Sequence, residues 1–497
     1  MFMYDHTKQY RCTIIRGKSQ RDMDDLLPAY AKVINEICPC PVEDFKNRFN
    51  AEFQRFLPEK DRIEKTLNNH RTEISGKLFG MYYKSDDGMV YTSQRTLKFL
   101  EDNDQPAFFK DVCYKMQFPN CMDKSNTLQE RIDNHISIRP NAFVLKVLQV
   151  AAKAGISLTI KEIGYYVLNS LDVLQGKASP IEVVNQIAAD QKSGTVRRIE
   201  AFDDTGNRKA SSYTMQHIKE QLNYLELANL IRIYDGTVSL NQKESNTIDI
   251  FTQDYQKAPE FNVYSYNVSD IAGRKQIQLD WDYYFSTISD KAAHFETSIP
   301  SLLLEVESDK PSTSSAKDDT KKPSVSKVEF GDAGESLVYE YEKQRVAKYN
   351  KRLVNKVIAF GKTKGIGFDI QSIIAEPGET AEFCKYIEVK STKRLTCPDP
   401  NNSLWMDTLN ITRNEWVAAQ QHQGYYSIYR VYFTKNGISM FILNNISGKK
   451  QDNKISVTPV NYRLDFSSDS VDKAVNFNDP EYDELRGLVN ELSGITL

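Results

Sequence analysis

Gly365-Ile366-Gly367-Phe368-Asp369-Ile370-Gln371-Ser372 and, after a short loop, Tyr386-Ile387-Glu388-Val389-Lys390-Ser391-Thr392 set the reading of the C-terminal third of this chain. β-Branched and aromatic residues dominate both stretches, and Pro377-Gly378 between them signals a turn, so the pattern predicts two strands of a hairpin. Residues two apart on a strand share a face. Glu388 and Lys390 therefore point one way, and Ile387 and Val389 the other, into a core. Pairing of the two strands brings Asp369 beside Glu388. Two carboxylates and an ammonium then share one rigid sheet, although an exposed ion pair on an ordinary hairpin fits the same spacing.

The residue types suit a metal-assisted phosphodiester site. Magnesium prefers oxygen ligands, commonly one or two carboxylates completed by water and substrate phosphate. Asp369 and Glu388 are the candidate metal ligands, and Mg2+ is the expected cofactor. Lys390 is placed to orient the attacking water and to offset charge in the transition state. The order Asp…Glu-x-Lys resembles the PD-(D/E)XK nuclease superfamily, with Gly367-Phe368-Asp369 in place of the proline-aspartate motif. Gly334-Glu335, Tyr341-Glu342, Asn414-Glu415-Trp416 and Tyr429-Arg430-Val431 flank these motifs in order, and together they resemble the NO VEIN C-terminal nuclease-like domain over roughly residues 330 to 440. That resemblance implies a catalytic acid after the helix glycine, which maps to Glu335. Glu342 is the second candidate, and either also reads as a surface acid.

Bulk properties limit the rest. With 497 residues, 40% of them hydrophobic and 27 tyrosines, the chain can build several cores and is not a disordered polymer. A net charge of −3 means that any DNA contact rests on local basic surfaces. Seven cysteines without a CxxC pair indicate neither a disulfide framework nor a zinc finger, and Cys38-Pro39-Cys40 lacks a matching pair. No signal peptide and no apolar run of membrane-spanning length is evident, so a cytoplasmic protein without membrane contact is expected.

The expected fold is multidomain: a mostly helical N-terminal region with a winged helix, then an α/β PD-(D/E)XK domain with a mixed central sheet. Residues 1–135 read as a helical domain, in which Asn69, Arg71 and Lys77 suit either DNA contact or packing and a solvated face. Residues 136–245 read as a winged helix-turn-helix. An apolar stripe runs through Phe143, Val144, Val147, Leu148 and Ala151, and Thr159 with Glu162 forms a capping box. A third helix carries Ile218, Leu222 and Leu225, and Asp235-Gly236 joins two short strands. Its outer face would offer Gln216, Lys219 and Asn223 to the major groove, flanked by His217 and Gln221. Arg197 and Arg198 are further candidate phosphate contacts. Many such folds bind proteins instead.

Residues 246–306 read as a β-rich closing segment, from runs such as Phe261–Tyr264 and Gln276–Trp281. Residues 307–328 are Ser-, Lys- and Pro-rich without apolar periodicity and read as a flexible linker, which should let the two halves separate. Residues 329–497 form the nuclease domain, whose first helix and following loop carry Lys351 and Arg352 among other basic residues. Thr412 and Glu415 form another capping box, and Gln421 with Tyr425 resembles a supporting Gln-x-x-x-Tyr feature of related nucleases.

The expected activity is a magnesium-dependent, site-specific double-stranded DNA endonuclease of the restriction type, a homodimer at least on DNA. Two alternatives remain at this stage: an enzyme directed to methylcytosine-modified DNA, and a non-catalytic DNA-binding regulator.

Overall fold

The computed structural model describes residues 10, 20–122, 125–197, 201–202, 208–209, 212–253, 255–303, 327–360, 365–375, 382–458 and 463–493. The chain divides into two compact units: Met1–Phe99 with Gln105–Glu296, and Leu100–Asp104 with Thr297–Leu497. Among the described residues no helix is long and apolar enough to cross a membrane.

The first unit repeats one topology. Helix Gln20–Ile37 is followed by strand Cys40–Pro41, helix Val42–Phe53, a helix Glu64–Asn68 continued as Asn69–Leu78, and the hairpin Tyr82–Lys84/Met89–Thr92. The three strands form an antiparallel sheet with the first strand on the last. A similar order recurs in Pro140–Lys153, Leu158–Thr159, Ile160–Leu168, Ser212–Leu227 and the hairpin Ile231–Tyr234/Thr237–Leu240, again with the first strand on the last, but with helices Leu171–Leu174 and Pro180–Ser193 and the strand pair Ala201–Phe202/Arg208–Lys209 inserted before Ser212. Asp235 and Gly236 both take positive φ, as a two-residue hairpin loop requires. Asp87-Gly88 carries the same signal in the first module, so the N-terminal region is not purely helical. The Thr159–Glu162 capping box is present.

The segment expected to be β-rich is helical among its described residues. Gln276–Trp281 lies in helix Ile271–Ser286, opened by the Asp270 side chain accepting from Gly273 N. Its alternation imitates a strand, but Ile277, Trp281 and Phe285 recur every four residues and are the buried ones. Phe261–Tyr264 forms no strand either: Val263–Ser265 is a single 3-10 turn.

The second unit is built on a mixed sheet. We label α1 Lys327–Tyr349, β1 Ile358–Ala359, β2 Ile370–Ile373, β3 Cys384–Lys393, β4 Met406–Asn410, α2 Arg413–His422, β5 Tyr426–Thr434, β6 Gly437–Asn444, β7 Ile455–Thr458, β8 Arg463–Ser467 and β9 Lys473–Asn476. Six strands pair in the order β9-β6-β5-β3-β2-β1, with β3 and β5 parallel and the other pairs antiparallel. A second sheet has the order β4-β8-β7. Tyr426, Ile428 and Tyr432 of β5 pack with Trp405, Trp416 and Phe441 in one apolar core.

This unit also takes in residues 100–104. Asn103 O accepts from Lys393 N at 3.1 Å and from Thr392 Oγ1 at 2.9 Å, and its side chain accepts from Arg430 at 3.1 Å. A fragment beginning at residue 329 lacks these partners. Of the expected linker, residues 307–326 lie outside the described residues, while 327 and 328 open α1.

Candidate active site

Backbone register builds the site. In the β2–β3 hairpin the ladder ends where Ile370 opposes Ile387, and Asp369, just before it, lies beside Glu388. Asp369 N donates to Ile387 O at 2.9 Å, and Asp369 Oδ2 accepts from Val389 N at 2.8 Å. Only residues from Ile370 onward are strand; Gly365 to Asp369 form a turn rather than the expected strand start. The reason lies at Gly367, which has φ +81, and where a Cβ would come within 2.5 Å of Asn414 O and 2.8 Å of the Ala418 side chain. A glycine there lets the loop carrying Asp369 close onto the start of α2.

Lys390 lies between two glutamates. Its Nζ is 2.7 Å from Glu388 Oε1 and 2.9 Å from Glu415 Oε2. Glu415 is the third residue of α2, where it completes the expected capping box: Thr412 Oγ1 accepts from Glu415 N, and Glu415 Oε2 accepts from Thr412 N at 2.9 Å. The sequence signal of the cap was plain, but it did not reveal that the same carboxylate reaches Lys390. That contact depends on the β3–α2–β5 crossover, which no local pattern reports.

Among the described residues the charges do not balance. Asp369, Glu388 and Glu415 are three carboxylates against one ammonium. Burial raises the pKa of Asp369, helped by Glu415, against the Val389 amide and Lys390. Burial also raises Glu388 well above the ordinary carboxylate value; Lys390 pulls it back, while Glu415 and Asp369 push it up. For Lys390, burial opposes the charge but Glu388 and Glu415 outweigh it, holding the ammonium above the usual lysine range. Arg430 neighbours Lys390 in the β3–β5 register. It gives no relief, because its guanidinium is committed to Asp407 at 2.8 Å and to Ser391 O at 2.9 Å.

The opposite face of β3 is different in kind. Glu342 of α1 is fully buried, takes a two-point contact from Arg345 at 2.7 and 3.0 Å, and accepts from Tyr429 Oη at 2.7 Å. Lys385 donates to the same Tyr429 oxygen at 2.9 Å. Burial would raise the Glu342 pKa, but Arg345 and Lys385 win and hold it at about 2. Glu342 is thereby committed to a structural network on the far side of the strand from Glu388. Glu335 is half-buried on α1 beside Gly334, which abuts Ser391 and Val389.

A divalent cation suits the cluster. Among the described residues no three His, Cys, Asp or Glu side chains are arranged to hold a metal ion by themselves. Magnesium is commonly held by only one or two carboxylates with water completing its shell, and Asp369 and Glu388 offer that pair with negative charge to spare.

Other candidate residues scatter. Gln216 and Lys219 are exposed on helix Ser212–Leu227 and Asn223 is half-buried. Gln221 is only 5% exposed, because it lies on the core side with Ile218, Leu222 and Leu225. Arg197 pairs with Asp190 at 2.8 Å, and Arg198 lies outside the described residues. Lys351 and Arg352 are exposed. Arg71 is buried and donates to Asn50 and Asn68, and Lys77 pairs with Glu73. The Gln421–Tyr425 feature is interrupted where α2 ends at His422 and Gln423 turns to φ 42.

Comparison with known proteins separates the same two regions. Residues 4–282 match the family model described as restriction endonuclease BpuJI, N terminal, and residues 334–443 match the protein NO VEIN C-terminal model. No curated protein matches. A crystal structure of pyrene- and phenanthrene-modified DNA in complex with the BpuJ1 endonuclease binding domain is 48% identical, with a TM-score of 0.53, covering 57% of this chain and 100% of that one. With more than half of its length matched by that model, the chain belongs to the BpuJI N-terminal restriction endonuclease family.

Proposed function

We propose that the protein is a magnesium-dependent, site-specific double-stranded DNA endonuclease of the restriction type. The observation that carries the reading is Asp369 anchored to β3 through Ile387 O and Val389 N, with Lys390 held 2.7 Å from Glu388 on that strand. That constellation, on a mixed sheet between α1 and α2, supports a PD-(D/E)XK nuclease. The DNA complex of the similar binding domain supports DNA as the ligand of the first unit. The repeated helix–strand–helix–helix–hairpin order supports reading both modules there as winged helices.

Bound magnesium would supply charge to the scissile phosphate and lower the pKa of a water. Asp369 and Glu388 would hold it, their orientation fixed by the hairpin and the Val389 amide. Lys390 would orient the attacking water and donate to the phosphate oxygen that gains charge. Glu335 is the proposed helix acid. Gln216, Lys219 and Asn223 would read base edges, while Lys351 and Arg352 would contact phosphate, which positions the duplex without carrying sequence information. The described residues carry one such cluster, so cutting both strands would call for two copies on DNA.

The test is digestion of plasmid by the full chain. Cleavage at discrete sites with magnesium and none with excess chelator is expected. Undiminished cutting in chelator would remove the mechanism, and no cutting of modified or unmodified DNA would favour a binding regulator.

A further inference from the structure

The capping box of α2 places a carboxylate on Lys390 that the proposed chemistry does not otherwise use. Glu415 Oε2 is held from two sides: Thr412 N donates to it at 2.9 Å, and Lys390 Nζ lies 2.9 Å away. The backbone therefore fixes this oxygen, and the helix N-terminus favours its charge. Glu388, the other partner of Lys390, is a proposed metal ligand. A cation on Glu388 would repel the Lys390 ammonium and compete for the same carboxylate, leaving Glu415 as the fixed anchor. Gly367 adds to the arrangement: a Cβ there would come within 2.5 Å of Asn414 O, so the missing side chain lets the Asp369 loop approach the first turn of the helix that carries Glu415.

We propose that Glu415 is the positioning residue of Lys390, keeping the ammonium at the reacting phosphate while Glu388 is engaged by metal. The inference rests on the nuclease reading of Asp369, Glu388 and Lys390. It assigns the Asn414-Glu415-Trp416 motif a task beyond starting a helix.

Glu415→Gln separates the two tasks, because glutamine completes a capping box as glutamate does but carries no charge. In the full chain its Tm should stay at the wild-type value. Its kcat for plasmid cleavage should fall by about tenfold to a hundredfold, the usual cost of losing an outer partner of a metal site, with KM for DNA unchanged. Thr412→Ala should do the reverse, lowering Tm while sparing kcat. A second readout is free of turnover: acylation of Lys390 by a water-soluble anhydride in calcium chloride, followed by mass spectrometry, should be faster in Glu415→Gln than in wild type. Wild-type kcat and labelling in Glu415→Gln, with Glu388→Ala inactive, would overturn the inference and leave the nuclease reading standing. Full activity in Glu388→Ala would instead overturn the nuclease reading and this inference with it.

Discussion

The two faces of β3 hold similar numbers of buried ionisable groups and treat them in opposite ways. On the α1 side, Glu342 has Arg345, Tyr429 and Lys385 around it, and its pKa is held at about 2. On the α2 side, Glu388 has one ammonium and two further carboxylates, and its pKa is pushed up. A buried charge that serves only the fold is satisfied, because an uncompensated one is costly. An unbalanced cluster persists where something absent from the protein completes it. An excess of carboxylate is the sign of imbalance that the proposed magnesium would offset.

The largest effects should fall on the unbalanced face. Asp369→Ala and Lys390→Ala are expected to reduce cleavage by at least about a hundredfold while the chain stays folded, since each removes a group proposed to act on the reacting phosphate or its metal. Lys385→Met, three residues from Glu388 along β3 and on the balanced face, should cut normally. Equal loss from Lys385→Met would erase the distinction between the faces.

Stability should show the reverse pattern. Asp407→Ala strands the buried Arg430 guanidinium, and removing one partner of such a pair costs about 3–5 kcal/mol. Denaturant titration of the second unit would measure it, and a cost under about 1 kcal/mol would mean that Arg430 finds other partners and is free to neutralise the cluster.

Glu342 sets a pH test. Its folded pKa lies below the ordinary glutamate value of about 4.3, so its carboxylate stabilises the fold above that pH and loses the contribution as pH falls toward about 2. The stability gap between wild type and Glu342→Gln should be full at neutral pH and close across that acidic window. A gap independent of pH would mean that packing, not charge, is what Glu342 contributes. The smallest effect is expected from Glu335→Ala, at about tenfold or less in cleavage. No loss at all would remove Glu335 as the helix acid.

What was legible in the sequence is what local patterns control. The turn at Asp235-Gly236, the caps at Thr159 and Thr412, and the common face of Glu388 and Lys390 follow from residues within a few positions of one another. The alternation at Gln276–Trp281 misleads because a four-residue apolar repeat lies within it, and capping by Asp270 lets the helix prevail. Asn103 reaching Lys393 and Arg430, and Glu415 reaching Lys390, are invisible to such reading because they depend on chain crossovers.

Glu388 is held against its own electrostatic interest, since burial and the neighbouring carboxylates both oppose its charge. The direct measurement is Glu388→Gln beside Glu342→Gln in the full chain without metal, each melted and assayed for cleavage on adding magnesium. Glu388→Gln should melt at or above the wild-type temperature and cut no DNA, since losing one of three crowded carboxylates relieves repulsion while removing a proposed metal ligand. Glu342→Gln should melt lower and, where folded, still cut. A Glu388→Gln protein that is destabilised like Glu342→Gln and retains cleavage would contradict the account.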